Sequence, residues 1–308
     1  MSGRVLVTGG TGYLGGHTVA ALPRHGHEVR TTVRSTARAG HLDPRVEVVE
    51  ADLSHDRGWV EATAGCRFVL HVASPFPATQ PDDPDEVIVP ARDGALRVIR
   101  AAHASGVERV VMTSSFAAVG YPVRAGHRYT EEDWTDPTPD LEPYVRSKAV
   151  AERAAWDLVA TLGGPVLTVL NPTGIFGPVL GPDVGTSAGI VRAMLDGHLP
   201  EAPRAAFGVV DVRDVAEMHV RAMTRPAAAG RRFVLTAGTV TMLDIADVLR
   251  ERLGARAAAA PTREAAGGEV PRPEIDTARA RDVLGFAPRA VADTIEDTAL
   301  SLLDRAAP

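Results

Sequence analysis

Short apolar runs alternate with stretches of helical periodicity along the first 170 residues of the chain. Six runs of five or six residues, rich in valine and leucine, predict buried parallel strands; they cover residues 4–8, 28–33, 46–50, 68–73, 109–113 and 165–170. Helices are predicted between them, most clearly over 14–24, 91–105 and from 143 onward. Strands alternating with helices predict an α/β fold with a doubly wound parallel sheet, in which ligands bind at the carboxyl ends of the strands.

The alternation is lost after residue 170. The later pattern predicts a loop and a helix within 179–207, strands near 207–214 and 232–235, and helices over 215–223, 241–253 and 291–303. Either Thr241 or Asp244 is suited to open the middle helix. Residues 257–274 are rich in Ala, Gly and Pro, which predicts an exposed or mobile segment. We predict a main domain over 1–170 and a smaller C-terminal region over 171–308, with the strands near 208–236 returning to the main sheet or its edge.

A glycine-rich turn follows the first predicted strand. Gly9, Gly12 and Gly15 form the pattern Gly-x-x-Gly-x-x-Gly between a strand and a helix. In that context the glycines allow a tight turn, the close approach of a pyrophosphate and close packing of the helix on the strand. The helix N-terminus then faces the anion. We predict a dinucleotide site here; the alternative is a glycine-rich turn without a ligand.

The end of the second strand indicates which dinucleotide binds. A site for NAD needs Asp or Glu about twenty residues past the glycine turn. This chain has Arg34 at that position, with Arg38 nearby and no acidic residue before Asp43. Because a guanidinium suits a 2′-phosphate, we predict a preference for NADP(H). The alternative is that Arg34 is merely a surface residue at a strand end.

The only lysine of the chain, Lys148, stands four residues after Tyr144. With four tyrosines in 308 residues, a lysine placed at random would have this spacing in about 1% of cases. Residues i and i+4 lie on one face of a helix, which Pro143 is suited to begin. An ammonium about 4 Å from the phenol contributes about 4 kcal/mol, which would bring the phenol pKa from about 10 to near neutrality. There a general acid works best. The alternative for Lys148 is a solvated helix residue.

Composition narrows the class of protein and its partners. A net charge of −6 argues against a nucleic-acid partner, and 45% hydrophobic residues are typical of a globular domain. The single cysteine, Cys66, excludes an internal disulfide and suits a reducing compartment. The sequence shows no signal-peptide pattern and no apolar run near 18 residues. We therefore expect a cytoplasmic protein with no membrane segment and no metal.

Three further polar residues stand at or near predicted strand ends. Asp52 follows the third strand and is placed either to contact an adenine or to cap a helix beginning near residue 56. His71 lies inside an apolar run, which favours a core histidine over a catalytic one. Ser115 ends the fifth strand, one crossover before Tyr144, where it could hydrogen-bond a substrate oxygen beside the phenol.

These motifs resemble the extended short-chain dehydrogenase/reductase family, within the NAD-dependent epimerase/dehydratase superfamily. The branch that looks most similar contains dihydroflavonol reductase, cinnamoyl-CoA reductase and the microbial aldehyde and ketone reductases. The resemblance covers nearly the whole chain. Besides the glycine turn and residues 144–148, it rests on Thr32-Val33-Arg34, residues 71–75, Thr113-Ser114-Ser115, Asn171-Pro172, residues 211–216 and residues 284–288.

The resemblance implies a Rossmann fold and a catalytic triad of Ser115, Tyr144 and Lys148. Tyr144 would donate a proton to a carbonyl oxygen as the nicotinamide delivers hydride. Lys148 would hold the nicotinamide ribose and lower the phenol pKa, and Ser115 would orient and polarise the carbonyl. Ser115 is preferred to Ser114 because the catalytic serine of the family is the last of the run.

The resemblance also implies cofactor contacts, most of them at strand ends. The candidates are Gly9, Thr11, Gly12, Tyr13, Leu14, Gly15, Arg34, Asp52, Leu53, Ala73, Ser74, Tyr144, Lys148 and Pro172. Phe76 and Phe116 are either walls of the substrate site or packing residues. Residues 1–170 would bind NADP(H), and residues 171–308 would mainly bind substrate. The segments 179–207 and 257–274 depart most from the branch, so the substrate remains open.

The function we expect is an NADPH-dependent reductase of a small aldehyde or ketone, acting as a monomer or homodimer. A nucleotide-sugar epimerase or dehydratase of the same fold is the second interpretation. Those enzymes resemble NAD binders, so Arg34 argues against it. A cofactor-sensing regulatory protein is the third, and the intact Tyr144–Lys148 pair argues against it.

Overall fold

The structure is a computed structural model that describes residues 3–75 and 83–306. Its strands are β1 Arg4–Thr8, β2 Glu28–Val33, β3 Glu47–Glu50, β4 Phe68–His71, β5 Arg109–Thr113, β6 Arg128–Tyr129, β7 Val166–Pro172, β8 Gly174–Phe176, β9 Ala206–Asp211, β10 Arg232–Leu235, β11 Gly238–Thr241 and β12 Glu274–Ile275. Its α-helices are α1 Tyr13–Ala21, α2 Trp59–Thr63, α3 Asp85–Ala104, α4 Pro143–Leu162, α5 Thr186–Leu195, α6 Val212–Thr224, α7 Met242–Leu253 and α8 Val291–Ala306.

Seven strands form one parallel sheet in the order β3-β2-β1-β4-β5-β7-β10. Strand β1 pairs with β2 on one side and with β4 on the other, so the strand order reverses at β1. Ligands of doubly wound sheets bind at such a reversal, outside the carboxyl ends of the strands. The predicted α/β fold with a doubly wound parallel sheet is confirmed.

Helices cover both faces of this sheet, and β1 shows why its sequence is continuously apolar. Val5 and Val7 pack in the core shared with α1 and α6, whereas Leu6 packs in the core shared with α3 and α4. Successive strand residues point to opposite faces, so a strand covered on both sides needs an apolar residue at every position. All three side chains are fully buried.

A second, smaller sheet is formed by β8, β9 and β11. Helices α5, α7 and α8 contribute to its core, which contains Phe176, Val209, Ile245 and Ile295. Strand β10 lies instead at the edge of the main sheet, beside β7. Of the strands near 208–236, then, β10 belongs to the main sheet and β9 to the small one, so the chain crosses between the two sheets after residue 170.

Several predicted helix boundaries differ from the observed ones. Helix α3 begins at Asp85 rather than near residue 91. Helix α6 begins at Val212 rather than near 215, because Asp211 Oδ1 accepts a hydrogen bond from Arg213 N at 2.8 Å and caps it. Both residues proposed to open α7 act at its start: Thr241 is the N-cap, and it forms a reciprocal capping box with Asp244.

The prediction that residues 257–274 are exposed is confirmed for most of the segment, but parts of it are buried or paired with neighbouring backbone. Ala257 and Ala260 are buried in the core of the small sheet. Ala202 exchanges backbone hydrogen bonds of 2.9 Å with Arg263 O and Ala265 N. Strand β12 at the end of the segment pairs with β6. The composition thus predicts the exposed positions, but not the few contacts through which small residues hold the segment against its neighbours.

Candidate active site

The glycine turn joins β1 to α1 at the point where the strand order reverses. Gly9 has a φ of +72°, a conformation that favours glycine. A Cβ at position 15 would lie 2.0 Å from the Gly9 carbonyl oxygen, so the turn closes in this form only with glycine there. Gly12 is the N-cap of α1 and supplies no side-chain cap, and the first turn of α1 carries no acidic residue. The positive end of the helix therefore suits an anion.

A cavity of about 430 Å³ opens at this turn and follows the carboxyl ends of β1 to β4. Most of the predicted cofactor residues line it: Gly9, Thr11, Gly12, Tyr13, Leu14, Gly15, Arg34, Asp52, Leu53, Ala73 and Ser74. The other lining residues are Thr32, Val33, Arg38, Ala51, Trp59, Val72, Pro75 and Asp183. Residues from the loops after β1 to β4, together with Asp183 from the loop before α5, thus converge on one elongated site.

One end of the cavity is cationic. Arg34 and Arg38 both line it and are both exposed. Asp52 lies beside them, and its pKa is lowered by hydrogen bonds from the backbone and hydroxyl of Ser54, with smaller contributions from His55 and Arg34. The prediction that Asp52 caps a helix is wrong. Its Oδ1 closes a local turn with Ser54 N at 2.8 Å, and α2 begins only at Trp59.

Ser115 and Tyr144 meet at the next strand end along the sheet. Ser115 follows β5 and opens a short 3₁₀ turn, where its hydroxyl oxygen accepts a hydrogen bond from Ala117 N at 3.1 Å. Tyr144 is the second residue of α4, and its partly buried side chain is hydrogen-bonded to the Ser115 side chain. The neighbouring Ser114 points elsewhere, since its hydroxyl donates to Glu152 Oε2 at 2.6 Å. The two adjacent serines therefore serve different networks.

Lys148 connects this pair to the cavity. Its buried Nζ donates to Ser74 Oγ at 2.9 Å and lies 5.5 Å from the centroid of the Tyr144 ring. Burial lowers the pKa of Lys148 to about 8, against the opposing effect of the Glu152 charge. Lys148 is therefore not a solvated helix residue. Because Ser74 lines the cavity, the ammonium stands at the junction between the cavity and the phenol.

The pKa of Tyr144 departs from the sequence-based expectation. Burial raises the phenol pKa above its usual value, and the hydrogen bond from Ser115 only partly opposes this. The expected lowering by Lys148 is wrong for this structure, because burial disfavours the phenolate more strongly than any charge around it stabilises it. A phenol with a raised pKa remains protonated at neutral pH, which is the form that donates a proton.

Three predicted site residues remain, and each has a different outcome. Pro172 ends β7 at the same edge of the sheet but is not among the residues that line the cavity. Phe116 is 4% exposed and packs against Val119, Tyr129 and Val234, so packing accounts for it. Phe76 lies outside the residues that the structure describes.

Two other residues singled out by the sequence are core residues. His71 is buried and its Nδ1 lies 2.9 Å from Thr8 Oγ1, and burial lowers its pKa to about 3, with a smaller contribution from Lys148. Cys66 is buried, which raises the pKa of its thiol. Over residues 3–75 and 83–306, no group of three or more His, Cys, Asp or Glu side chains is arranged to hold a metal ion. No helix in these ranges is long and apolar enough to span a bilayer.

Sequence reasoning missed three residues at the site. Asp183 lines the cavity, and its Oδ2 would lie 3.6 Å from a Cβ at Gly12, so this carboxylate faces the glycine turn. Trp59 Nε1 donates to Asp52 O at 3.0 Å and braces the adjoining loop. Glu152 lies behind Ser115. Asp183 and Trp59 stand in segments with no motif, and Glu152 follows Lys148 at helical spacing, which was the one available signal.

Comparison with known proteins agrees with this geometry. The sequence profile of the NAD dependent epimerase/dehydratase family matches residues 5–236. The chain is 30% identical to the NADPH-dependent methylglyoxal reductase of Saccharomyces cerevisiae, over 97% of this chain and 98% of the yeast protein. It is 32% identical to dihydroflavonol 4-reductase of Zea mays, over 81% and 74% of the two chains. The crystal structure of yeast methylglyoxal/isovaleraldehyde reductase complexed with NADPH superposes with a TM-score of 0.88, at 28% identity and 98% and 99% coverage.

Proposed function

Because the chain belongs to the NAD dependent epimerase/dehydratase family and is an NADP-dependent oxidoreductase, we propose that it reduces an aldehyde or a ketone with Tyr144 as the proton donor. One contact carries the proposal: Lys148 Nζ donates to Ser74 Oγ at 2.9 Å. Ser74 lines the cofactor cavity, and Lys148 shares a helix face with Tyr144. The proposed acid therefore stands next to the end of the cavity that lies away from Arg34.

The residues of the cavity fit NADP(H). The uncapped N-terminus of α1 and the glycine turn suit the pyrophosphate, because a Cβ at Gly9 would meet Ala73 at 3.0 Å and close the cradle. Arg34 and Arg38 suit the 2′-phosphate, and Asp52 and Leu53 suit the adenine. Ala73, Ser74, Lys148 and Pro172 would hold the nicotinamide end. When bound, NADPH supplies the hydride.

The chain supplies the proton and the orientation of the carbonyl. Tyr144 is protonated at neutral pH because burial raises its pKa, so it can donate to a carbonyl oxygen as negative charge develops there. The Ser115 hydroxyl is bonded to the same phenol and would share that oxygen, which orients the substrate. Lys148, which donates to Ser74 at the edge of the cavity, would hold the nicotinamide ribose and would place a positive charge beside the developing phenolate.

The first substrates to test are small aldehydes. The yeast reductase, which aligns over nearly its whole length, is named for methylglyoxal and, in its crystal structure, also for isovaleraldehyde, whereas the aligned part of the maize reductase covers 74% of that protein. We therefore propose an aldehyde or dicarbonyl compound of similar size as the substrate class.

Direct titration and turnover test this function. The purified protein is titrated with NADPH and with NADH, and the reduced-nicotinamide absorbance is then followed with isovaleraldehyde and methylglyoxal. Tight NADPH binding with aldehyde-dependent oxidation is the expected result. Tight binding without oxidation by any aldehyde, ketone or diketone would count against the proposal and favour the nucleotide-sugar or sensor interpretation.

A further inference from the structure

One buried carboxylate connects the elements that carry the proposed catalytic residues. Glu152 lies on α4, one turn beyond Lys148 and two turns beyond Tyr144, so the three side chains share one side of the helix. It is fully buried. Its Oε2 accepts hydrogen bonds from Ser114 Oγ at 2.6 Å and from Asn171 Nδ2 at 2.7 Å. These partners stand at the carboxyl ends of β5 and β7, so Glu152 joins the helix to both strands.

The same network reaches the backbone of Ser115. Asn171 Nδ2 also donates to Ser115 O at 3.1 Å, so the carboxylate orients the amide that holds this carbonyl. The other oxygen, Oε1, accepts from Arg232 Nε at 2.6 Å and from Trp156 Nε1 at 3.3 Å. Arg232 is buried in β10, which brings a third strand into the same cluster.

We propose that Glu152 is a positioning residue that fastens α4 to the ends of β5 and β7 and thereby sets the placement of Ser115 against Tyr144. This inference rests on the proposed function, because it assigns a role within the same site. Four donors converge on the two carboxylate oxygens, so few other side chains would satisfy the cluster.

Glu152 also raises the pKa of Lys148. Its negative charge is the influence that opposes the burial-induced lowering of the Lys148 pKa. Among the described residues, the other ionisable groups near the ammonium are Tyr144 on α4 and His71 on β4, and His71 stays neutral because burial lowers its pKa to about 3. Without the carboxylate, Lys148 would lose its proton at a lower pH.

Arg232, which bonds to Glu152 Oε1, and its neighbour Glu131 are also held by other contacts. Arg232 NH1 donates to the backbone oxygens of Glu131 and Asp133, and its guanidinium stacks on Trp134 at 3.7 Å. The Glu131 carboxylate accepts from Val234 N and lies 3.6 Å from Arg279. Arg232 therefore keeps partners when Glu152 is altered.

A glutamine at position 152 would disrupt the cluster in a specific way. If its carbonyl oxygen keeps the bond from Arg232, its amide nitrogen faces the Asn171 Nδ2 donor. Asn171 Oδ1 has no partner among the described residues, so Asn171 can rotate to accept from that nitrogen. The rotation removes the bond from Asn171 Nδ2 to Ser115 O. The neutral variant should thus shift Ser115 while the fold persists.

Two variants and one control test the proposal. Glu152→Gln should lower kcat with isovaleraldehyde by about tenfold to a hundredfold, because small misplacements of reacting groups have effects of that size. Its NADPH affinity at pH 6 should match the parent, since Glu152 does not line the cavity. NADPH affinity should fall at high pH as Lys148 loses its proton, and this fall, the basic limb of the pH profile, should move to lower pH in the variant. Glu152→Asp keeps the charge but is too short for both strands, so kcat should fall while the limb stays.

Asp157→Asn is the matched control, because Asp157 is an exposed carboxylate on the same helix. It should leave kcat and the limb unchanged. A Glu152→Gln variant with the parent's kcat and limb would overturn the proposal. So would equal losses of kcat, NADPH affinity at pH 6 and melting temperature in Glu152→Asp, since they would indicate a purely structural role.

The design separates this inference from the proposed function. Absence of turnover in the parent protein counts against the reductase proposal, and the pH dependence of NADPH binding then still decides whether Glu152 acts on Lys148. Turnover in the parent with no change in either Glu152 variant counts against the Glu152 inference alone.

Discussion

The cofactor cavity and the catalytic cluster lie side by side at one edge of the sheet, yet they are built differently. The cavity is lined by the glycine turn and by the exposed cations Arg34 and Arg38. In the cluster, Lys148 and Glu152 are buried and bonded to other side chains. Arg34 and Arg38 line an open cavity, whereas most donors in the cluster already have protein partners.

This difference predicts how each region responds to substitution. Changing a residue of the cavity alters a contact made only when the cofactor binds, so the effect appears in affinity. Changing a residue of the cluster disturbs buried polar partners, whose loss is costly in a low-dielectric interior. We therefore expect turnover to change there while affinity for NADPH is kept, except at Lys148, which would also hold the ribose.

The largest expected effect is at Tyr144, within the cluster. Tyr144→Phe removes the proposed proton donor and should lower kcat by about 10²- to 10⁴-fold, the usual contribution of general acid catalysis. NADPH affinity should be nearly unchanged, because the ring and its packing remain. Steady-state rates and direct NADPH titration measure the two quantities. Full activity in this variant would rule out the assigned role, and it would contradict the expectation that the cluster governs turnover.

The second effect is at the glycine turn, within the cavity. Gly15→Ala places a Cβ 2.0 Å from Gly9 O, so the turn must open, and we expect destabilisation of about 3 kcal/mol, the upper end of the usual cost of overpacking, together with loss of NADPH binding. Gly16→Ala is the matched control, since its nearest atom is Gly10 O at 3.7 Å. The control should bind NADPH normally and gain about 0.5–1 kcal/mol, because alanine favours a helix interior. Equal behaviour in the two variants would contradict the cradle.

The third effect concerns the choice of dinucleotide. Arg34→Ala should weaken NADPH by about 1.5–3 kcal/mol, the typical worth of a hydrogen bond to a charged group. NADH lacks the 2′-phosphate, so its affinity should hardly change. Comparative titrations measure both, with Arg45→Ala, an exposed arginine paired with Asp43 outside the cavity, as the control. Equal losses for the two cofactors would refute the phosphate contact.

The smallest effect is at Asp183, which breaks the pattern of the cavity because its carboxylate faces the glycine turn. Asp183→Asn removes a negative charge near the expected pyrophosphate and should tighten NADPH binding by about 0.2–1 kcal/mol, the range of exposed charge pairs. The gain should shrink at high salt, which screens such charges. Asp196→Asn, an exposed acid at the end of α5, should show neither change. Unaltered affinity in Asp183→Asn would mean that the loop moves away from the bound cofactor.

Much of the cavity could be predicted because its chemistry is local in sequence. The glycine spacing, Arg34 at the end of β2, and Ala73 and Ser74 after β4 all follow from a strand that ends and a loop that begins. Parallel strands bring such loops to one edge, so the fold class places them together. Asp183 escaped prediction because it reaches the cavity from a loop 171 residues beyond Gly12 in sequence, with no motif to mark it.

The sequence by itself determined the doubly wound α/β class, the position of the dinucleotide turn, and the helical spacing that puts Tyr144 and Lys148 on one face. These features depend on hydrophobic periodicity and on the backbone conformations that glycine and proline favour. Both are set by residues close together in the chain. Only the tertiary structure decided that Phe116 packs inward, that Asp52 closes a turn, that the Tyr144 pKa rises, and that Glu152 joins three strands. Burial and the convergence of side chains depend on residues far apart in the chain, and no local pattern encodes either.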